Sequence, residues 1–240
     1  MRNTIRTPKL AALVLAVLGG QVALATAASA QGGLLGLGLF APPPAPATPA
    51  APAPTAPAPA TPQQLEQRLA ALGYDVGPTD GVVDDQTASA VLAFQKVNGL
   101  ERTGTLTDAL TAQILATSTA PGPMVANGEP DRVEVSLARQ VLFLYKGGAL
   151  TKILAVSSGT SATPTPTGEF RITRFDSGWH TSRLGRLYNA EYFVGGYAIH
   201  GSMSVPAKPA SHGCIRISMS AAEWFPSQVT KGMQVVILST

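Results

Sequence analysis

A proline-rich stretch removes the first part of the chain from any hydrophobic core. Residues 41–62 are almost entirely Pro, Ala and Thr, and they hold ten of the 20 prolines in the sequence. Such a composition favours the extended polyproline conformation, at about 3 Å per residue, so this stretch would span roughly 60 to 70 Å. We therefore predict a disordered linker over residues 31–61 and expect folded structure only after it.

The N-terminus has the pattern of a secretory signal peptide. A basic start is followed by an apolar run over residues 10–25 and then by the small residues Ala28, Ser29 and Ala30. The apolar run is shorter than the ~20 residues that span a bilayer, which favours a cleaved leader over a membrane anchor. We predict a signal peptide over residues 1–30, an exported protein, and no stable membrane span after cleavage.

Charge and cysteine content exclude several classes of protein. The chain has 17 Lys+Arg and 14 Asp+Glu, but the leader carries three of the basic residues and no acidic one. The mature chain is therefore balanced, and we expect no nucleic-acid partner. The single cysteine excludes an internal disulfide and a multi-cysteine metal centre. The oligomeric state is left open.

Residues 62–117 show the periodicity of three short helices. Three N-terminal signals mark where they begin: Thr61 with Pro62 and Gln64, Asp84 or Asp85, and Thr107. The first of these signals is a capping box with proline in the first turn. Periodicity alone is compatible with a simple helical spacer.

The order of residues in this segment resembles the three-helix peptidoglycan-binding domain found beside many cell-wall enzymes. The matching motifs are Leu65-Glu66-Gln67-Arg68-Leu69, Gly73-Tyr74, Asp80-Gly81, Phe94-Gln95 and Asn98-Gly99-Leu100. The resemblance implies that residues 62–117 anchor the protein to the wall. It does not identify individual ligand contacts.

Residues 118–240 change to a β-rich pattern with a single helix predicted over residues 219–229. The strand candidates, chosen by alternation and by runs of β-branched and aromatic residues, are 133–137, 141–145, 150–156, 170–173, 192–194, 197–200 and 235–238. We expect a mostly β domain large enough to form its own core. Together with the helices, this predicts a multidomain α+β protein.

Chemistry is concentrated around the lone cysteine, Cys214, in the sequence Ser-His-Gly-Cys-Ile-Arg. A thiol is mostly protonated at neutral pH, so a nucleophilic cysteine needs an imidazole or a positive field nearby. His200 and His212 are the nearby imidazoles, and spacing alone does not choose between them. His200 reaches the thiol only if its segment and the one after Gly213 are adjacent strands. A buried structural cysteine is the alternative.

These residues closely resemble the active-site signature of the L,D-transpeptidase catalytic domain. The matching segments are Ala198-Ile199-His200-Gly201, Ser211-His212-Gly213-Cys214-Ile215-Arg216, Ser157-Ser158-Gly159, Pro164 to Phe170 and Gly232 to Ile237. The resemblance covers nearly all of residues 118–240 and implies a β-sandwich with a short helix. One departure is the compact loop of ten residues between His200 and Ser211.

The family implies acyl transfer through a thioester on a peptidoglycan stem tetrapeptide, with release of the terminal D-Ala. An amine on a second stem then accepts the acyl group and forms a 3-3 cross-link. By the family pattern Cys214 is the nucleophile, His200 is the general base and acid, and the Gly201 carbonyl orients the ring. Arg216 holds a substrate carboxylate or braces the loop. Three further residues form the oxyanion hole or its loop: Ser211, His212 and Gly213.

Other readings of the same residues make different predictions. Water in place of the amine gives an L,D-carboxypeptidase or endopeptidase, and an unreactive Cys214 leaves an inactive wall-binding protein. A sortase is disfavoured because its Thr-Leu-x-Thr-Cys context is absent. A metal site lacks a third ligand of fixed spacing, so we expect no metal and no cofactor.

Overall fold

The computed structural model of the protein describes residues 60–240. The predicted signal peptide (1–30) and the predicted linker up to residue 59 lie outside the described residues. The described part contains four helices, and three of them come before the first strand: α1 (Pro62–Ala71), α2 (Asp85–Val97) and α3 (Asp108–Ala116). The fourth, α4 (Met219–Gln228), precedes the last strand.

The first three helices begin where the sequence predicts. The Thr61 hydroxyl accepts a hydrogen bond from the Gln64 amide, and the Gln64 side chain accepts one from the Thr61 amide. Asp84 and Thr107 cap α2 and α3 through the same kind of side-chain acceptor. These caps satisfy amides that have no partner within the helix, which fixes the start of each helix locally.

Nine strands form two sheets. They are β1 (Arg132–Ser136), β2 (Val141–Lys146), β3 (Ala149–Ala155), β4 (Gly168–Arg171), β5 (Arg174–Ser182), β6 (Gly185–Val194), β7 (Tyr197–Gly201), β8 (Ile215–Ile217) and β9 (Gln234–Leu238). One sheet has the order β3-β2-β1-β9-β4, and the other has the order β5-β6-β7-β8. Most neighbours are antiparallel, but β1 pairs with β9, and β7 with β8, in parallel. This arrangement confirms the predicted mostly β domain.

The five-stranded sheet is covered on both faces. Along β2, Leu142 and Leu144 join a core shared with the second sheet and α4. The alternate residues Val141, Phe143 and Tyr145 join a second core, shared with the three N-terminal helices. Because successive side chains of a strand point to opposite faces, one strand contributes to both cores. The helices therefore cover the sheet face that points away from the second sheet.

Polar contacts add to this shared core. Asp75, which follows α1, forms an ion pair with Lys152 on β3 at 3.3 Å. Its carboxylate also accepts a hydrogen bond from the Trp224 indole on α4 at 3.3 Å. The helical segment is thus bound to the β-rich part by buried apolar surface and by directed contacts.

The sequence did not predict the hairpin of β5 and β6. Most of β5 is exposed and polar, and its register shifts between Asp176 and Trp179, so it lacks a regular apolar alternation. Only the C-terminal end of β6, residues 192–194, has the apolar pattern that predicts a strand from the sequence. The hairpin forms because its strands pair with each other and with β7.

None of the helices among residues 60–240 is long and apolar enough to cross a membrane.

The shared core predicts that the helices and the sheets unfold together. Phe94 on α2 is fully buried beside Tyr74, and Phe94→Ala should lower the free energy of unfolding by about 3–5 kcal/mol. We would follow guanidinium denaturation by far-UV circular dichroism and by tryptophan fluorescence. The two signals should change together in the native protein and in the Phe94→Ala variant. Val82→Ala, at a position 61% exposed, is the control and should change little. Two separate transitions would show that the segments are independent.

Candidate active site

His200 and the cysteine segment lie on adjacent parallel strands. In the β7–β8 pair, Ile199 is opposite Ile215, and His200 is opposite Arg216. Cys214 comes directly before β8. From ideal strand spacings, its Cα atom lies about 8 Å from that of His200. The imidazole of His200 and the short thiol side chain of Cys214 project from the same face, so both can face one pocket across this separation.

Along these two strands, residues that pack in the core alternate with residues that line a pocket. Ile199, Ile215 and Ile217 are fully buried in the core between the two sheets. The intervening residues His200 and Arg216 point to the opposite face and line a pocket together with Cys214. The core therefore fixes both strands while their other face carries the reactive groups.

The turn before Cys214 is held by the buried Ser211. Its hydroxyl donates to the Cys214 carbonyl and accepts from the Gly213 amide at 3.0 Å. Gly213 has φ +114°, and a Cβ there would overlap the Tyr197 ring. Only glycine fits at this point without displacing the aromatic ring of β7.

Hydrogen bonds from residues 158–165 also hold this turn in place. The Thr165 hydroxyl accepts from the Gly159 amide at 2.9 Å and donates to the Gly213 carbonyl at 2.7 Å. The Ser158 carbonyl accepts from the amides of Ala210 and Ser211. The two upstream segments that carry part of the family resemblance therefore buttress the cysteine turn.

One ring nitrogen of His200 is already engaged. Nδ1 lies 2.9 Å from the Gly201 carbonyl oxygen. A carbonyl only accepts hydrogen bonds, so Nδ1 carries the hydrogen and Nε2 keeps its lone pair. Burial lowers the pKa of His200, the Gly201 hydrogen bond raises it, and the nearby positive charge of Arg216 lowers it. The neutral, basic form of the ring is therefore favoured at neutral pH.

The Cys214 thiol is also kept neutral at rest. Burial raises its pKa, while a backbone hydrogen bond at Ala198 and the charge of Arg216 act in the opposite direction. The sulfur lies 3.8 Å from the Gly196 carbonyl oxygen. A neutral thiol beside a neutral imidazole needs proton transfer before it can act as a nucleophile.

The pocket around these groups is positively charged. It has a volume of about 320 Å³ and is bordered by the tip of the β5–β6 hairpin. Arg183, Arg186 and Arg216 line it, and no carboxylate does. The Arg186 guanidinium stacks on Trp179, 4.2 Å from the ring centroid. The pocket therefore favours a ligand that carries carboxylates.

Comparison with known proteins finds a family match for each of the two segments. Residues 130–237 match the family model of the L,D-transpeptidase catalytic domain, and residues 60–114 match that of a peptidoglycan binding domain. The structure resembles that of an L,D-transpeptidase from Xylanimonas cellulosilytica with a TM-score of 0.67 and 34% identity, over 73% of this chain and 92% of the other. The chain belongs to the L,D-transpeptidase family.

Two other solved L,D-transpeptidases are more distant. The one from Stackebrandtia nassauensis is 23% identical with a TM-score of 0.47, over 75% of this chain and 93% of the other. The one from Mycobacterium smegmatis is 19% identical with a TM-score of 0.42, over 45% and 58%. No match was found among curated proteins.

The structure brings most of the sequence-predicted residues of this family member together. Cys214, His200, Arg216, Ser211 and His212 all line the one pocket. His212 is exposed, in contrast to the buried His200. The other two predicted residues lie behind these groups: Gly201 at the end of β7 and Gly213 in the turn.

Sequence reasoning missed the residues of the hairpin tip. Arg183 and Arg186 reach the pocket only because β5 and β6 fold over it, and no motif in that segment signalled this. Tyr192 is buried and lines the pocket, whereas Trp179 is 44% exposed. Among residues 60–240, no three His, Cys, Asp or Glu side chains are grouped to hold a metal ion.

The raised pKa of the Cys214 thiol predicts a specific pH profile. Alkylation by iodoacetamide, followed by mass spectrometry across a pH series, should report an apparent pKa above that of the same chain unfolded in guanidinium chloride. Because Cys214 is the only cysteine in the sequence, the signal has one source. A midpoint at or below that of the unfolded chain would contradict the prediction and indicate a thiolate at rest.

Proposed function

We propose that the protein is an exported peptidoglycan L,D-transpeptidase that forms 3-3 cross-links through a thioester on Cys214. The observation that carries the proposal is the parallel pairing of β7 with β8, which gives the only cysteine and His200 a common pocket. Membership of the L,D-transpeptidase family supports an enzyme that acts on peptidoglycan.

The first step forms the thioester. His200 Nε2 removes the thiol proton, and Cys214 Sγ attacks the carbonyl between the third stem residue and the terminal D-Ala. The Gly201 carbonyl holds the Nδ1 hydrogen, so the basic nitrogen is kept available. As the C–N bond breaks, His200 returns the proton to the amine of the departing D-Ala.

Backbone amides at the cysteine turn stabilise the oxyanion. The Gly213 amide already donates to Ser211. We therefore assign the amides of His212 and Cys214 to this task, with Ser211 and Gly213 shaping the turn that presents them. His212, which is exposed, serves through its backbone and its place in the loop.

The second step transfers the acyl group to an amine of a second stem. His200 takes a proton from the attacking amine, the C–S bond breaks, and the thiol recovers its proton. Water in place of the amine would give the tripeptide and make the protein a hydrolase. The family match and the pocket geometry apply to both outcomes, so the product decides between them.

The helical segment and the linker suit a wall-anchored enzyme. The match of residues 60–114 to a peptidoglycan binding domain supports polymer binding by the helices. Anchoring would raise the local concentration of stems around the pocket. The predicted signal peptide places the protein outside the cytoplasm, in the wall, the periplasm or the extracellular space.

The central test is product analysis of purified protein with a disaccharide-tetrapeptide. Mass spectrometry should show loss of D-Ala together with a cross-linked dimer. Cys214→Ala should abolish both, because it removes the nucleophile. His200→Ala should lower the rate by about 10²- to 10⁴-fold, the usual contribution of general acid–base catalysis.

A control variant and the identity of the product keep these outcomes separate. His180→Ala, on the exposed strand β5, is the matched control and should leave the rate unchanged. Tripeptide without dimer would identify an L,D-carboxypeptidase. Absence of any Cys214-dependent product, with binding to purified wall retained, would identify an inactive wall-binding protein.

The three arginines of the pocket predict a requirement for a substrate carboxylate. Arg216→Met should raise KM for the tetrapeptide by about 10- to 100-fold, as expected for loss of a charged hydrogen bond. A stem whose terminal carboxyl is amidated should bind the native enzyme weakly and be little affected by the substitution. Arg171→Met, which disrupts an exposed ion pair with Glu129, is the control. An unchanged KM would make Arg216 a bracing residue of the loop.

A further inference from the structure

Two basic side chains of the helical segment reach the backbone of the catalytic part. The Arg102 guanidinium, between α2 and α3, donates to the Ala138 carbonyl at 2.9 Å and to the Ala207 carbonyl at 3.5 Å. Ala207 belongs to the loop of residues 202–210, which joins the strand of His200 to the cysteine turn. We call this segment the connecting loop.

Lys96, near the C-terminal end of α2, contacts the segment that supports the connecting loop. Its side chain is 1% exposed, and Nζ donates to the Val156 carbonyl at 2.8 Å. The next residue, Ser157, exchanges two backbone hydrogen bonds with Arg216, at 3.0 and 3.1 Å. The Ser157 hydroxyl also donates to the Lys208 carbonyl in the connecting loop, at 2.8 Å.

The connecting loop is otherwise open on the side of the helices. A groove of about 790 Å³ separates its first residues, 202–205, from the start of α2. Met203 at this rim is 87% exposed. Ser202 lines both this groove and the catalytic pocket. A loop released from Arg102 and Ser157 has room to move away from the pocket.

A buried lysine is a costly way to stabilise an interface. Removing an ammonium group from water is unfavourable unless a charge partner compensates for it. No carboxylate forms an ion pair with Lys96 among residues 60–240, and Arg102 is a nearby like charge. Ala93, one turn earlier on the same face of α2, is a fully buried apolar residue, so an apolar side chain suits the same surroundings. A task beyond stability therefore accounts better for a lysine here.

We propose that Lys96 and Arg102 of the helical segment are positioning residues, which hold the connecting loop and the strand of Arg216 in the geometry that the reaction needs. The helical segment then helps to position the active site, in addition to its proposed role as an anchor. This inference rests on the proposed function of that site.

The test uses the full-length chain with Lys96→Met, Arg102→Met and Arg102→Lys. Arg68→Met is the matched control, because Arg68 also donates to a backbone carbonyl, that of Thr117, and the groove beside it contains no residue of the loop. For Arg102→Met, which releases the connecting loop, we expect kcat on the soluble tetrapeptide to fall about 10- to 100-fold with KM within about twofold, since small misplacements of reacting groups are costly. Lys96→Met should lower kcat by a similar factor and also raise KM, because it loosens the strand of Arg216. Arg102→Lys should recover part of kcat.

Hydrogen exchange supplies a measurement that does not depend on turnover. Amides of residues 202–216 should exchange at least about tenfold faster in the Met variants than in Arg68→Met, at a matched fraction of folded protein. Arg102 is partly exposed, so its Met variant tests the proposal even if Lys96→Met does not fold. If the native protein is active but the Arg102→Met variant keeps the kcat of the control, the proposal is overturned. If the native protein is inactive, the proposed function has failed, and unchanged exchange separately overturns the positioning role.

Discussion

The burial of one five-stranded sheet on both faces is the constraint on which the rest of the structure depends. Alternate side chains of β2 enter two different cores, one against the second sheet and one against the N-terminal helices. A sheet with two apolar faces requires two covering layers, because exposing either face to water is unfavourable. The helices therefore complete the fold of the catalytic part, in addition to matching a peptidoglycan binding domain.

The same layering positions the reactive groups. The second sheet buries Ile199, Ile215 and Ile217 against the first, and this fixes the strands whose opposite face carries His200 and Arg216. Segments that leave the first sheet then fold back under the cysteine turn through Thr165 and its neighbours. The core holds the strands β7 and β8 in place, and the pocket residues lie on the face of these strands that points away from the core.

Electrostatics at the site follow from this placement. Burial raises the pKa of the Cys214 thiol and lowers that of the His200 imidazole, and both shifts favour the neutral forms. Arg216 faces both and favours the thiolate over the imidazolium. In the proposed reaction, the thiol is therefore activated by proton transfer when a substrate occupies the pocket. An anionic substrate would also offset the accumulated positive charge of the three arginines.

The sequence by itself determined the local features. Caps at Thr61, Asp84 and Thr107 start the helices because their acceptors lie within three residues, and apolar runs mark most strands of the sheets. It also singled out Cys214 as the candidate nucleophile. Tertiary structure decided that His200 shares a pocket with Cys214, because the two meet only through the parallel pairing of strands distant in sequence. It also decided that the β5–β6 hairpin borders the pocket and that the helices share the catalytic core, since both depend on long-range packing that short-range pattern does not encode.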